Sequence, residues 1–151
     1  MNYEYYMLKA YELALAALAA DETPVGAVIT LGEKIIGRGC NQRVTKKNPL
    51  YHAEISAINE AAAFMGDWRL EGCTIFVTVE PCPMCAGAIV QARIKELVFG
   101  APNPKAGCAG SVMNILDHPG FNHRVDIVSG IMAEPCGRLM SEFFKKFRGA
   151  E

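Results

Sequence analysis

Two cysteines three residues apart, Cys82 and Cys85, stand between a run of β-formers (Cys73 to Val79) and a helix-like run that begins Ala86-Gly87-Ala88-Ile89. That junction restricts the chain more than any bulk property does. Pro83 suits a first helical position, where its missing N–H would be unpaired anyway. Positions i and i+3 of a first turn point the same way, so both sulfurs can reach one ion. The positive end of the helix dipole there favours thiolate over thiol. Upstream, His52-Ala53-Glu54 opens a second helical run and supplies an imidazole. One imidazole and two thiolates suit zinc, and three protein ligands leave a fourth position for water or substrate, whereas a closed structural site wants a fourth protein ligand. Glu54 is near enough to His52 to hydrogen-bond a zinc-bound water without ligating, and to move protons between that water and a substrate. The Cys pair alone fits a zinc knuckle or a redox Cys-x-x-Cys equally well. His52, Glu54 and Pro81 together favour a hydrolytic site.

Composition narrows the setting. At 151 residues the chain is read as one domain, residues 1–151. A net charge of −1 advertises neither nucleic acid nor membrane, so any polyanion site must be a local patch. Six cysteines fall short of a disulfide framework and fit free thiols or metal ligands in a reducing, cytoplasmic compartment. The apolar run Leu13 to Ala20 has no basic leader and is flanked by Glu4 and Glu12, unlike a signal peptide. No stretch is long enough to span a membrane.

Residues 2 to about 20 read as a helix with Leu8, Tyr11, Leu15 and Leu18 on one apolar face. Val25–Leu31 and Lys34–Gly39 read as a hairpin around Gly32-Glu33, and Cys40–Tyr51 as a loop. His52–Met65 is a helix with Ile55, Ile58 and Ala62 on one side and Gly66 as terminator. Strand Cys73–Val79, the helix after the Cys pair and strand Glu96–Gly100 follow. Ala101–Ser111 is a loop, Val112–Leu116 a short helix, Arg124–Val128 a strand, and a final helix carries Leu139, Phe143 and Phe147 at four-residue spacing, with Pro135 either in its first turn or delaying its start. Strands alternating with helices, several of them continuously apolar, predict a three-layer α/β/α sandwich.

His-x-Glu followed by Pro-Cys-x-x-Cys is the known signature of zinc nucleobase deaminases. Beyond it the chain resembles the bacterial tRNA adenosine deaminases over nearly its whole length. The resemblance rests on Thr-Pro-Val-Gly-Ala-Val at 23–28, His-Ala-Glu-Ile at 52–55, Glu-Pro-Cys-Pro-Met-Cys-Ala-Gly-Ala at 80–88, Val-Phe-Gly-Ala at 98–101 and Asn-His-Arg at 122–124. It implies a cytidine deaminase-like fold with a five-stranded mixed sheet and helices on both faces. It also implies one zinc per subunit on His52, Cys82 and Cys85, a homodimer, and hydrolysis of adenosine to inosine at the wobble position of a tRNA anticodon. Glu54 would move the protons. Asn41 and the Ala53 backbone would contact the base, with Val25 and Gly26 on the pocket wall. Asn103, Lys105, Phe144 and Arg148 would hold the anticodon stem-loop, with Arg69 behind them. Related sequences often carry Asp where Asn103 stands.

Cys40, Cys73, Cys108 and Cys136 read as buried thiols, and His118 and His123 as structural. Two other readings stay open: a free-base or nucleoside deaminase of the same fold (guanine, cytosine or cytidine), and a non-catalytic zinc-stabilised RNA-binding subunit.

Overall fold

A computed structural model describes residues 1–149, with side chains through Lys146. Helix α1 (Tyr3–Ala19) leads into the hairpin β1 (Gly26–Leu31) and β2 (Lys34–Cys40); α2 (Ala53–Met65), β3 (Cys73–Val79), α3 (Pro83–Gln91) and β4 (Glu96–Ala101) follow, then β5 (Asp126–Val128) and α4 (Ala133–Gly149). The sheet order is β2-β1-β3-β4-β5, and β1 runs antiparallel to both its neighbours while β3, β4 and β5 are parallel. The five-stranded mixed sheet and its two helical layers match the expectation.

Strand alternation divides the core. Ile29, Ile75, Val77, Leu97 and Phe99 face α2 and α3, while Val28, Phe76 and Val98 face α1 and the segment that opens α4. A Cβ on Gly26 would stand 2.6 Å from the Ala14 nitrogen of α1, and a Cβ on Gly39 would stand 2.8 Å from the Ala57 nitrogen of α2. Both helices therefore lie unusually close to the sheet, and only small side chains fit between.

That closeness overturns one expectation. The buried face of α1 is Tyr6, Met7, Ala10, Ala14 and Ala17, and Leu8 and Leu15 are exposed. In α2 likewise Ala53, Ala57 and Ala61 face the strands, whereas Ile55, Ile58 and Ala62 are only partly buried. A second expectation also fails: residues 112–116 form no helix. Ser111 N–H is bonded to Glu80 and Ala109 bridges to Asn114, which commits this backbone to a loop anchored by buried Leu116. The last strand begins at Asp126, because the Val125 N–H is bonded to Leu116 outside the sheet. Pro135 does sit in the first turn of α4, and Gly66 caps α2 in the left-handed conformation. Among the described residues no helix is long and apolar enough to cross a membrane.

Candidate active site

Topology explains why distant residues meet. Strands β2 and β3 both run antiparallel to β1, so they are parallel to each other and end at the same edge of the sheet. Helices α2 and α3 start beyond those ends, as ligand-binding helices of α/β sheets do. His52 is the N-cap of α2 and Cys82 the N-cap of α3, each with extended backbone and neither spending its side chain on a cap bond. The side chains remain available, and two positive helix termini converge on one point.

There the His52 ring presents Nδ1 3.6 Å from the Cys82 sulfur and 3.5 Å from the Cys85 sulfur. One ligand atom from each residue lies within 4.8 Å of the others, a spread that one ion can bridge. Among the described residues this is the group of three or more His, Cys, Asp or Glu side chains able to hold a metal. The donor set fits: a neutral imidazole and two sulfurs suit a borderline-soft divalent cation, with one position left open. The protons agree. The hydrogen bond from Cys85 above all, helped by His52, brings the Cys82 thiol down to about 4, while that same bond and burial push Cys85 up. The His52 imidazole is raised, chiefly by its bond with Cys82. A cation held here would take both sulfurs as thiolates, so its binding would release protons.

Glu54, at the second position of α2, is 4% exposed and still borders the pocket. Burial pushes its carboxyl up to about 7, against the pull of its own backbone N–H and of His52. Glu80, at the end of β3, is as buried but opposite in character. Burial raises it too, yet hydrogen bonds from Ser111, Asn103 and Ala109 more than reverse this and hold it below the usual carboxylate range. Two acids at one pocket are thereby set apart by environment.

The pocket has a volume of about 830 Å³ and opens between residues 101–106, α4 and the segment leading into β1. It takes in all the expected base contacts. Asn41 is buried at the pocket, and its Oδ1 accepts from the Arg43 N–H at 3.3 Å, a local turn bond made from within the pocket wall. Its amide nitrogen donates no hydrogen bond among the described residues, which leaves that group to donate to a ligand. The Ala53 N–H, at the first helical position, likewise makes no bond among the described residues. Val25 lines the wall, but Gly26 packs under α1 and does not.

Asn103, Lys105 and Phe144 line the outer pocket. The Asn103 Oδ1 accepts from the Ala106 N–H at 3.3 Å. Phe144 is 45% exposed while neighbouring Phe143 is buried against it, ring centroids 5.5 Å apart. Arg148 has its side chain outside the described residues. Arg69 is not brought to the pocket: it is exposed beside Trp68, and the adjacent Leu70 is tied to Ala92 at the other end of β3.

Two contributors had been given no role from the sequence. Glu22, 1% exposed, accepts from the N–H groups of Val44 and Thr45 and from the Thr45 hydroxyl, and so fixes the loop that carries Arg43 into the pocket. Glu80 does the same for the loop opposite. Glu22 carries only the weak signal of an acidic residue at the boundary of an apolar element, whereas Glu80 opens the 80–88 stretch quoted above, in which it had no role of its own. Cys73, Cys108 and Cys136 are buried thiols as expected, while Cys40 is partly exposed; all six cysteines are free. The His123 ring bonds the Ile94 carbonyl, a structural role; His118 accepts from the Gly120 N–H in its own exposed turn.

The profile of the MafB19-like deaminase family matches residues 1–148. A tRNA-specific adenosine deaminase of Bacillus subtilis is 47% identical over 145 residues, covering 96% of this chain and 90% of that protein. One from Streptococcus pyogenes is 45% identical over 144 residues, covering 95% and 91%. Among solved structures, one from a study of A-to-I editing by tRNA:A34 deaminases superposes with a TM-score of 0.86 at 36% identity, covering 89% of this chain and 98% of that one. A guanine deaminase of Nitrosomonas europaea shares the fold, with a TM-score of 0.76 at 24% identity over 93% of this chain and 83% of its own.

Proposed function

This chain belongs to the family of tRNA-specific adenosine deaminases, and we propose that it hydrolyses adenosine to inosine at the wobble position, 34, of a tRNA anticodon, releasing ammonia. The observation that carries this reading is Glu54, a buried carboxylate beside a three-ligand site in a pocket large enough for more than a lone base. His52, Cys82 and Cys85 would hold one zinc ion, which when bound supplies the Lewis acidity that makes water nucleophilic near neutral pH. Glu54 accepts the proton of the attacking water and returns protons to the ring nitrogen and to the departing amine, so that the C6–N bond breaks and ammonia leaves. The Ala53 N–H and the Asn41 amide orient the base edge. Phe144 offers a ring on which a neighbouring unstacked base lies, and Lys105 and Arg148 meet the phosphates of the anticodon stem-loop.

The domain is residues 1–151, and six free thiols suit a reducing cytoplasm. A homodimer is the assembly proposed, supported by the exposed apolar side chains Leu50, Tyr51, Phe64, Val112 and Met113, of which the first two directly precede His52. Molar mass by light scattering checks it, and a monomer at micromolar concentration would refute it.

The central test incubates the zinc-loaded protein with an anticodon stem-loop and sequences the product for inosine. Inosine at one position, abolished by Glu54→Ala with zinc content and RNA binding retained, is the expected result. Deamination of free guanine or cytosine with the stem-loop untouched would establish the free-base reading instead. Unchanged turnover in Glu54→Ala would remove Glu54 from the mechanism.

A further inference from the structure

Glu80 borders the pocket, is 2% exposed, and has no room for a proton. Its Oε1 accepts from the Asn103 N–H at 3.0 Å and from the Ser111 hydroxyl. Its Oε2 accepts from the N–H groups of Ala109 and Ser111, each at 3.0 Å. An ionised carboxyl has about four lone-pair sites, and four donors fill them. An amide in its place would turn an NH₂ group toward at least one backbone N–H in either orientation, so only a carboxylate satisfies the set. Gly107 closes over it: a Cβ there would collide with the carboxyl and stand 2.5 Å from the Asn103 carbonyl oxygen. Meanwhile the Glu80 backbone is fastened to the sheet through its N–H to the Ala101 carbonyl at 2.9 Å, two residues before Cys82.

We propose that Glu80 is a positioning residue for substrate recognition: it anchors the 103–111 loop to the end of β3 and so sets where Asn103 and Lys105 meet the polynucleotide, without sharing in proton transfer. This rests on the function proposed above. The four donors come from both ends of the loop, Asn103 at its start and Ala109 and Ser111 at its close, so one side chain fixes the whole excursion relative to the strand that leads into the metal ligands. With the loop released, a base at the metal would meet the same Glu54, but the flanking nucleotides would lose their wall. The penalty falls on binding and spares the chemical step.

The experiment compares wild type, Glu80→Gln and Ser111→Ala as zinc-loaded full chains on an anticodon stem-loop, with amide hydrogen exchange measured in parallel. Glu80→Gln is expected to raise KM about tenfold or more with kcat within about twofold and zinc content unchanged. Exchange at the Asn103, Ala109 and Ser111 amides should accelerate. Ser111→Ala, which deletes the hydroxyl donor to Oε1 and keeps the carboxylate, should move KM the same way by about twofold and remains interpretable if Glu80→Gln folds poorly. A fall in kcat at constant KM would place Glu80 in the chemistry and overturn the proposal. Unaltered exchange across 103–111 would overturn it independently of activity. A wild type that leaves the stem-loop untouched counts against the proposed function alone, because the exchange comparison still decides whether Glu80 holds the loop.

Discussion

Gly39→Ala should damage the site from the far side of a helix. The substitution is compatible with the local backbone, since Gly39 is not in the left-handed region. Its Cβ, however, would sit 2.8 Å from the Ala57 nitrogen and 2.9 Å from the Ser56 Cβ, with the Ala53 carbonyl oxygen nearer still. The oxygen and nitrogen are backbone atoms of α2 and the Cβ is fixed to that backbone, so none can rotate away, and the first two turns of the helix must lift by about 1 Å to restore ordinary contact. Overpacking of this kind costs about 1–3 kcal/mol, and a rigid helix puts it at the upper end. For a chain of this length that lowers Tm by about 5–10 °C. The lifted turns carry His52, Ala53 and Glu54, and a misplacement of about 1 Å at reacting groups costs on the order of 10²-fold in rate. Metal ligands tolerate only about 0.2 Å, so zinc affinity should fall as well. Gly32→Ala is the matched control: nothing lies within 4 Å of its Cβ, and its φ of +60° makes alanine cost about 1–2 kcal/mol through strain alone. Thermal melts, zinc titration and kcat/KM on a stem-loop at a temperature where both variants are folded separate the two. Full catalytic rate in folded Gly39→Ala, or equal rate losses in both variants, would refute the claim that contact between sheet and helix sets the ligand geometry.

Two further outcomes follow from buried acceptors. Glu22 is held below its ordinary pKa: burial pushes it up, but the Thr45 and Val44 hydrogen bonds prevail, so its stabilisation is complete above about pH 4.3 and disappears as pH falls through the folded value. Glu22→Gln should cost about 2–3 kcal/mol in urea unfolding at pH 7 and progressively less below about pH 4; a gap that stays constant down to about pH 3 would contradict this. Asn103→Asp keeps the Oδ1 acceptor for the Ala106 N–H, so the loop should survive and only charge changes. A carboxylate can take a hydrogen bond from a ribose 2′-OH that DNA lacks, so the RNA-to-DNA ratio of kcat/KM should rise by roughly fivefold, about 1 kcal/mol, at constant zinc content. An unchanged ratio on matched hairpins would sink that idea.

Element types and order were legible in the sequence because period and punctuation carry them: Gly32 at a hairpin turn, Pro83 at a helix start, apolar runs at the three central strands. Which face of a helix points inward was not. Leucine outranks alanine in any hydrophobic reading, yet α1 and α2 bury alanines and leave Leu8 and Leu15 in solvent. The reason lies in another element. Gly26, Gly37 and Gly39 remove the side chains that would hold the helices off, and the facing row must then be small. Alanines at four-residue spacing opposite strand glycines form a pairing pattern between segments, invisible to a reading that takes each segment alone. The 112–116 segment failed for a related reason: its local propensity was outbid by a carboxylate some thirty residues upstream in sequence.

The site divides along the same line. That His52, Cys82, Cys85 and Glu54 would meet at one pocket was readable because the proposed chemistry needs those side chains at those spacings, whatever surrounds them. What surrounds them decides which acid does what. Glu54 and Glu80 are both carboxylates, both nearly inaccessible, both at the pocket. Residue type therefore cannot assign the proton shuttle. Glu54 is pushed up to about 7 by burial, which leaves it able to gain and lose a proton near neutrality. Glu80 has spent every lone pair on the 103–111 loop and stays ionised. Exchanging the two environments would exchange the two proposed roles. The division of labour belongs to the donors each carboxylate meets, and those come from loops whose conformation no motif records.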